Sequence, residues 1–219
     1  MDRDLCVVAD AAQSFGSILR GRRTGQFGQV TATSFFPAKP LGCCGDGGEV
    51  NTDDDDLATA MRSLRLHGQG SGKSDTICVG FNARFDTMQA AVLLQKLMIF
   101  DDELLRRQAI TDRYGAELRG VVAVSVADGA TRAWARSMVQ SGQWDSLSDL
   151  LRLAGIPPNV YNPEPLHKQT AYLGFPRAKE RIAVSEMLSR QVVSLRMHLY
   201  LKADDQRRVV AMMIKHSTS

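Results

Sequence analysis

Short apolar runs alternate with polar, glycine-rich stretches in the first part of the chain. Residues 5–9 are apolar on both faces and end at Asp10, which is typical of an inner strand of a covered parallel sheet. Residues 30–36 alternate threonine with apolar side chains and predict a second strand, and residues 48–51 predict a strand that returns beside it. Residues 16–29 are rich in glycine and arginine and predict a loop.

Helical periodicity dominates the middle of the chain. The predicted helices span residues 52–64, 88–99 and 101–119. Asp53 to Asp56 open the first helix, and carboxylates in a first turn favour the helix dipole, so we interpret them as a helix start rather than a metal site. Asp86 or Thr87 caps the second helix, which is apolar on most sides. Such a helix lies buried between elements or at a subunit interface.

The remainder of the chain predicts a mixed α+β unit. Strands are expected at residues 121–126, 133–140 and 192–195, and helices at 146–154, 183–190 and 204–214. The composition shifts near residues 118–120. We therefore predict an α/β protein of two domains, residues 1–119 and 120–219.

Composition and charge narrow the functional classes. Of the 219 residues, 44% are hydrophobic and 23% charged, which is ordinary for a soluble globular protein. The net charge of +3 is mild and its basic residues are dispersed, which argues against nucleic acid as a partner. No apolar stretch approaches the roughly 18 residues of a membrane helix, and we expect no signal peptide. The four cysteines lack zinc-ligand spacing, so we expect reduced thiols, a cytoplasmic protein and no metal.

Lys39 is the candidate for chemistry. It follows the apolar strand and precedes a loop that contains Gly42, Gly45, Gly47 and Gly48. A desolvated lysine has a lowered pKa and a nucleophilic amine, although most lysines beside such loops are simply solvated. His67, which follows the first predicted helix, is either catalytic or a hydrogen-bonded structural residue.

Asp10, Gln13, Ser34 and Lys39 together offer the groups that pyridoxal 5′-phosphate requires. The cofactor needs an amine for a Schiff base, a carboxylate that keeps its ring nitrogen protonated, a phosphate ligand and a polar group near the ring oxygen. Asp10 would lie at the carboxyl end of a strand, where open α/β sheets bind ligands, or would simply cap the residues that follow it.

Several segments resemble the DegT/DnrJ/EryC1/StrS family of sugar aminotransferases. These segments are residues 8–16, 34–42, 45–48, 64–68 and 80–91. The resemblance implies a type I aminotransferase fold, an α/β fold with an incomplete large domain and a small C-terminal domain. It also implies pyridoxal phosphate as cofactor, a homodimer, and transfer of an amino group, usually from glutamate, to a keto nucleotide-sugar. Residues 94–107, 155–157, 165–169 and 197–201 are most similar to enzymes that aminate 3-keto UDP-acetamido-hexuronic acids for O-antigen synthesis.

The resemblance also implies roles for individual cofactor-binding residues. Lys39 corresponds to the Schiff-base lysine, which also moves a proton between the carbons of cofactor and substrate. Asp10 corresponds to the partner of the ring nitrogen, and Gln13 to the residue near the ring oxygen. Ser34 corresponds to a phosphate ligand, and Asn82 to a phosphate ligand that is donated across the dimer interface.

Three further residues match positions near the substrate. Arg84 lies beside Asn82, and His198 and Tyr200 belong to a late motif near the nucleotide-sugar in the family. The alternative is that all three are structural polar residues.

Family members carry a long N-terminal portion before the strand that ends at Asp10. We therefore expect this chain to be N-terminally truncated, with a sheet edge and apolar surface exposed and with one phosphate-binding helix start missing. Two alternatives to an aminotransferase stay open. One is a sugar dehydratase of the same family, which has histidine where Lys39 stands, and the other is a non-catalytic remnant that does not bind the cofactor productively.

Overall fold

A computed structural model describes residues 5–72, 74–118, 126–177 and 182–217 of the protein. The elements in chain order are β1 (Val8–Asp10), β2 (Ile18–Leu19), β3 (Arg22–Arg23), β4 (Val30–Ser34), β5 (Gly48–Asn51), α1 (Asp55–Leu64), α2 (Thr87–Leu97), α3 (Phe100–Glu117), β6 (Ala130–Thr131), β7 (Ser137–Gln140), α4 (Trp144–Leu153), α5 (Ile182–Ser189), β8 (Val192–Leu195) and α6 (Ala203–Ser217). The predicted helices and the strands β4, β5, β7 and β8 are confirmed, with ends that differ by a few residues.

Side-chain caps fix the starts of α1 and α2. The carboxylate of Asp54 accepts a hydrogen bond from the backbone N–H of Leu57 at 2.9 Å, so the aspartate run is a helix start, as predicted. The carboxylate of Asp86 accepts from the N–H groups of Met88 and Gln89 at 2.8 and 3.1 Å. Both contacts satisfy donors that the first turn of a helix leaves without a backbone partner.

The chain divides into two compact units. Unit 1 contains residues 1–105 and 126–135, and unit 2 contains residues 106–125 and 136–219. The domain boundary at 119/120 stays a prediction, because residues 119–125 lie outside the described residues. The strand expected at residues 121–126 falls almost wholly on that stretch.

A mixed three-stranded sheet organises unit 1, in the order β1-β4-β5. β1 runs parallel to β4 with Asp10 opposite Ala32, and β5 runs antiparallel to β4 with Gly48 opposite Ser34. The prediction of an inner, covered strand is wrong for β1, which pairs with β4 alone in the described part of the chain. Val8 is 70% exposed. An apolar run predicts that a strand is buried, but it does not predict which other element covers it.

The predicted loop at residues 16–29 contains a small hairpin. β2 pairs antiparallel with β3 and with β6. Arg20 and Gly21, between the two hairpin strands, both have positive φ angles, of 49° and 80°, as a two-residue hairpin turn requires. Two-residue strands are too short to show an alternating pattern, so no local signal predicts them.

An aromatic cluster forms the core of unit 1. The buried members are Phe35, Leu41, Cys43, Leu93 and Phe100, and Phe15, Phe85 and Leu104 pack against them. Most other apolar side chains of α2 are exposed, including Met88 at 79% and Leu94 at 62%. α2 is therefore not buried between elements of this chain, and the alternative that it lies at a subunit interface stays open.

In unit 2, the antiparallel strands β7 and β8 pack against helices. Its buried core contains Leu147 and Leu151 from α4, Val193 and Leu195 from β8, and Val209, Val210 and Met213 from α6. The side chain of Gln206 is fully buried, and it accepts from Arg113 at 2.8 Å and donates to the carbonyl of Ile110 at 2.7 Å. Both polar ends of this amide are thus satisfied.

None of the helices in the described ranges has the length and apolar character needed to cross a membrane.

We expect Tyr114→Phe to lower the free energy of unfolding by about 1 kcal/mol, because the carbonyl of Arg196 would lose a buried donor. The Tyr114 hydroxyl donates to that carbonyl at 3.1 Å, and burial raises the pKa of Tyr114 to about 12. Urea unfolding measures the effect. Tyr172→Phe is the matched control, because Tyr172 is 40% exposed. Equal unfolding midpoints for wild type and Tyr114→Phe would show that this hydrogen bond adds no stability.

Candidate active site

The carboxyl ends of β1 and β4 lie side by side. Asp10 is the last residue of β1, and the N–H of the next residue, Ala11, donates to the carbonyl of Ala32 at 2.7 Å. Ser34 ends β4 and pairs with Gly48, where β5 begins. Because parallel strands end at the same edge of a sheet, Asp10 and Ser34 share the edge at which α/β sheets bind ligands.

Asp10 is exposed and uses only part of its hydrogen-bonding capacity. One carboxylate oxygen accepts from the N–H of Ala12 at 2.9 Å. Among the described residues, no further hydrogen bond or ion pair to this carboxylate is found. The capping role is therefore real, and it leaves the second oxygen available for another partner.

Lys39 lies in the loop that leaves the same edge after Ser34. Its N–H donates to the carbonyl of Phe36 at 2.9 Å in a tight turn, so it is outside helix and strand, as predicted. Its side chain is half-buried, and its amine contacts no hydrogen-bonding or charged partner within the described ranges. A Cβ on Gly42 would lie 2.6 Å from the carbonyl oxygen of Pro37, so only glycine fits where the turn closes.

Phe35 closes the loop that contains Lys39. Its N–H donates to the carbonyl of Gly47 at 2.8 Å, and its own carbonyl accepts from the N–H of Cys43 at 2.8 Å. The Sγ of Cys43 also lies 3.0 Å from that carbonyl. These bonds draw both ends of the loop back to a single residue at the end of β4.

The side chain of Phe35 connects the segments that resemble the family. Its ring centroid lies 6.1 Å from that of Phe15, which follows β1, and 5.9 Å from that of Phe85, which precedes α2. Phe15 also contacts Phe100 at 5.5 Å. The cluster therefore packs the segments that carry Asp10, Lys39 and Asn82 around one core.

Gln13 and Ser34 differ in the hydrogen bonds that their side chains already make. Gln13 is exposed and makes no hydrogen bond within the described ranges. The hydroxyl oxygen of Ser34 accepts from the N–H of Phe36 at 3.3 Å, which leaves its proton free to donate. Either side chain can therefore serve a ligand at the sheet edge.

Asn82 and Arg84 form an exposed polar pair. The Nε of Arg84 donates to the side-chain oxygen of Asn82 at 3.1 Å. Asn82 also bridges to Leu66, and the neighbouring N–H of Phe81 donates to the carbonyl of Leu64 at 2.7 Å. The pairing with the end of α1 holds this short segment in place.

His67 lies beside that segment in a left-handed conformation, with a φ of 63°. Its N–H donates to the carbonyl of Phe81 at 2.9 Å, while its side chain is exposed. The backbone contact fixes the main chain at this position, and the two alternatives for the imidazole, catalytic or structural, stay predictions.

His198 and Tyr200 belong to unit 2, where both are exposed. They follow β8 in a turn in which the N–H of Leu201 donates to the carbonyl of His198 at 2.9 Å. No contact in the described part of unit 2 brings their side chains onto a ligand-binding group.

Unit 2 also contains an open cavity of about 910 Å³ that the sequence did not indicate. The Arg136 guanidinium lies 3.4 Å from the ring centroid of Tyr161 at this cavity. His167 also lines the cavity. Its Nε2 lies 3.0 Å from the carboxylate of Glu186 of α5, which Lys168 Nζ contacts at 2.7 Å. Residues separated this widely along the chain leave no local pattern, so only the fold reveals the grouping.

Across the described ranges, no group of three or more histidine, cysteine, aspartate or glutamate side chains could hold a metal ion.

Comparisons with known proteins show which family the chain resembles. Residues 1–214 match the model of the DegT/DnrJ/EryC1/StrS aminotransferase family. The chain is 42% identical over 197 residues to the UDP-2-acetamido-2-deoxy-3-oxo-D-glucuronate aminotransferase of Pseudomonas aeruginosa, which covers 89% of this chain and 54% of that protein. The chain thus spans about half the length of the curated relatives that it matches.

Solved structures of relatives superpose closely on the chain. A DegT DnrJ EryC1 StrS aminotransferase from Brucella abortus has a TM-score of 0.93 and 43% identity, covering 97% of this chain and 57% of that one. DesV of S. venezuelae, solved in complex with a ketimine intermediate, has a TM-score of 0.93 and 35% identity, covering 98% of this chain and 58% of that one. These matches confirm the predicted type I aminotransferase fold, of which the chain covers part.

The Glu186 contacts generate a pH-dependent prediction. Hydrogen bonds from Lys168 and then His167 lower the pKa of Glu186 from 4.5 to about 2. A carboxylate with a lowered folded-state pKa stabilises the fold above its unfolded pKa and loses that effect as pH falls through the folded value. We therefore expect Glu186→Gln to be less stable than wild type at pH 6, with the difference shrinking between about pH 4.5 and pH 2.

Chemical unfolding at a series of pH values measures this difference. Glu164→Gln is the control, because Glu164 is exposed and its carboxylate makes no ion pair within the described ranges. A wild-type-minus-Glu186→Gln difference that stayed constant from pH 6 to pH 2 would contradict the assignment.

Proposed function

Because the chain belongs to the DegT/DnrJ/EryC1/StrS aminotransferase family, we propose that it carries the lysine-bearing part of a pyridoxal-phosphate-dependent transaminase site for a keto nucleotide-sugar. One observation supports the proposal above the others. Asp10 and Ser34 share a sheet edge, and the loop with Lys39 leaves that edge and is closed by Phe35.

The groups at this edge fit the cofactor chemically. The Lys39 amine has no competing partner in the described ranges, one Asp10 oxygen is available, and the Ser34 hydroxyl can donate. An amine, a carboxylate and a hydroxyl are the groups that an aldehyde, a pyridine nitrogen and a phosphate require. Gln13 would lie near the ring oxygen, and Asn82 would reach the phosphate of a neighbouring subunit.

When bound, pyridoxal phosphate supplies an electron sink that stabilises negative charge on a substrate carbon. Lys39 Nζ would hold the cofactor aldehyde and then move a proton between two carbon atoms as a general base and acid. The Asp10 carboxylate would keep a proton on the ring nitrogen through a charge-assisted hydrogen bond. The proton that Asp10 holds there is what makes the ring an effective electron sink.

The substrate assignment rests on resemblance and on exposed polar groups. We propose a nucleotide-linked keto sugar as amino acceptor and glutamate as donor, with Arg84, His198 and Tyr200 as substrate-binding residues. The relative from Pseudomonas aeruginosa is named for a 3-oxo-glucuronate substrate, which favours a related hexuronate here. The product would serve the synthesis of O-antigen or another surface polysaccharide, and the protein would act in the cytoplasm as a homodimer.

Two alternatives are weighed by particular observations. Lys39 stands where a family dehydratase would have histidine, so the transaminase is favoured over the dehydratase. The chain spans about half the length of its relatives, and the non-catalytic remnant stays the second alternative. The remnant differs from the transaminase in one measurable property, the formation of a cofactor adduct at Lys39.

We expect the purified chain to develop a visible absorption band with pyridoxal phosphate, and borohydride reduction to fix the cofactor on Lys39. Lys39→Ala should abolish both signals, because in the described part of the chain the other amine at this loop, that of Lys96, is engaged by the carbonyl of Gly42. Absorbance and peptide mass spectrometry measure the outcome, and Lys202→Ala, an exposed lysine of unit 2, is the control. Equal adduct yield in wild type and Lys39→Ala would overturn the transaminase proposal, and no adduct in wild type would favour the remnant.

A further inference from the structure

The amine of Lys39 depends on the backbone of its loop for its position. Its flexible four-carbon stem makes no fixed polar contact within the described ranges, so the stem alone does not place the amine. A reacting group must be held within about 0.5 Å of its productive position. The groups that fix the loop backbone are therefore as important for Lys39 as its own side chain.

Two side chains of α2 contact that backbone directly. The side-chain oxygen of Gln89 accepts from the N–H of Cys44 at 2.8 Å, and the Nζ of Lys96 donates to the carbonyl of Gly42. The Gln89 side chain also borders Gly45, where an added Cβ would lie 3.4 Å from its Nε2. These contacts span 45 and 54 positions of sequence, so they join the loop to a separate element rather than to its own neighbours.

The helix that supplies these contacts is itself well anchored. Gln89, Leu93 and Lys96 fall on one face of α2, because helical residues four and seven positions apart are aligned. Leu93, between the two polar residues, is buried in the aromatic cluster beneath the loop. The Asp86 cap accepts from the N–H of Gln89, so the residue that holds the loop is also fixed at its own backbone.

We propose that Gln89 and Lys96 are positioning residues, which hold the loop between β4 and β5 so that Lys39 is presented at the sheet edge. This inference rests on the proposed function, in which Lys39 is the reacting amine. Half-buried polar side chains that satisfy loop backbone groups restrict local opening, because each opening would break both contacts together. Neither residue touches the reacting atoms, so each acts through the loop.

Amide hydrogen exchange of the full chain without cofactor tests whether Gln89 and Lys96 restrict the opening of the loop. We expect Gln89→Ala to increase exchange in peptides that cover residues 40–47 by about three- to tenfold, the range that the loss of one hydrogen bond allows. Gln89→Glu retains an acceptor oxygen and should restore wild-type exchange. Gln95→Ala is the matched control on the same helix, because Gln95 is exposed and its side chain contacts no polar group in the described ranges.

Lys96→Met is the second variant, because methionine retains the apolar stem and removes only the donor to Gly42. It should increase exchange in the same peptides. If Gln89→Ala does not fold, Lys96→Met alone tests whether the contacts from α2 restrain the loop. Unchanged exchange at residues 40–47 in both variants, or an equal increase in Gln95→Ala, would overturn the proposal.

The reactivity of Lys39 tests the functional part. Reductive methylation with formaldehyde and cyanoborohydride, followed by peptide mass spectrometry at several pH values, reports the rate at Lys39 alone. We expect the methylation rate at Lys39 to change in Gln89→Ala and Lys96→Met, because the loop no longer holds the amine in one position, and to match wild type in Gln89→Glu and Gln95→Ala. Faster loop exchange with an unchanged Lys39 profile would overturn the positioning role.

The failure of this inference can be told apart from the failure of the proposed function. Neither exchange nor methylation requires pyridoxal phosphate, so both decide the positioning role even if no cofactor adduct forms. Conversely, an adduct at Lys39 with the loop unaffected by Gln89→Ala and Lys96→Met would retain the proposed function and remove the positioning residues.

Discussion

Phe35 is the residue on which the candidate site depends most. Its backbone closes the loop that contains Lys39 through Gly47 and Cys43, and its ring joins Phe15 and Phe85 in one aromatic cluster. Paired aromatic rings bury a large apolar area and prefer tilted or edge contacts of this separation. One side chain therefore couples the hydrophobic core of unit 1 to the geometry of its polar edge.

The parallel pairing of β1 with β4 supplies the second constraint. Because the register sets Asp10 opposite Ala32, the carboxylate lies at the edge where β4 ends and the loop begins. A shift of one residue would turn the side chain of Asp10 to the other face of the sheet. The position of Asp10 at this edge is thus decided by the backbone register of β1 against β4.

Unit 1 also has exposed apolar surface, on β1 and around α2. Val8 of β1, Met88 of α2 and Met98, which directly follows α2, are each at least 70% exposed. Large exposed apolar surface marks sites of association, so α2 is the surface that the proposed homodimer would cover. The helix then has two roles, since its opposite face holds the loop through Gln89 and Lys96.

Much of the secondary structure was accessible from sequence, because the signals were local. β8 and the cap of α2 follow from a β-branched run and from an aspartate before an apolar helix. The hairpin of β2 and β3 was missed, since its strands are too short for periodicity. β1 was wrongly placed inside the sheet, because an apolar run does not specify which neighbour covers it.

In the candidate site, too, local features could be predicted from the sequence and contacts between distant residues could not. Asp10 could be placed at the carboxyl end of a strand from the sequence alone, and the resemblance added roles that stay predictions. The edge that it shares with Ser34 follows from the structure, in which β4 ends at Ser34. The hydrogen bonds that join Gln89 and Lys96 to the loop backbone could not be predicted from the sequence, because they connect residues far apart along the chain. The cavity beside Arg136 and Tyr161 could not be predicted either, because its lining residues are also far apart along the chain.

The central claim is that one amine and one carboxylate at this sheet edge hold opposite ends of the same cofactor ring. A crystal structure of the chain after reduction with pyridoxal phosphate would test it most directly. The account predicts the cofactor covalently attached to Lys39 Nζ, with an Asp10 carboxylate oxygen within hydrogen-bonding distance of the ring nitrogen. A cofactor attached to Lys39 whose ring nitrogen faces solvent or another residue, with Asp10 turned away, would contradict it.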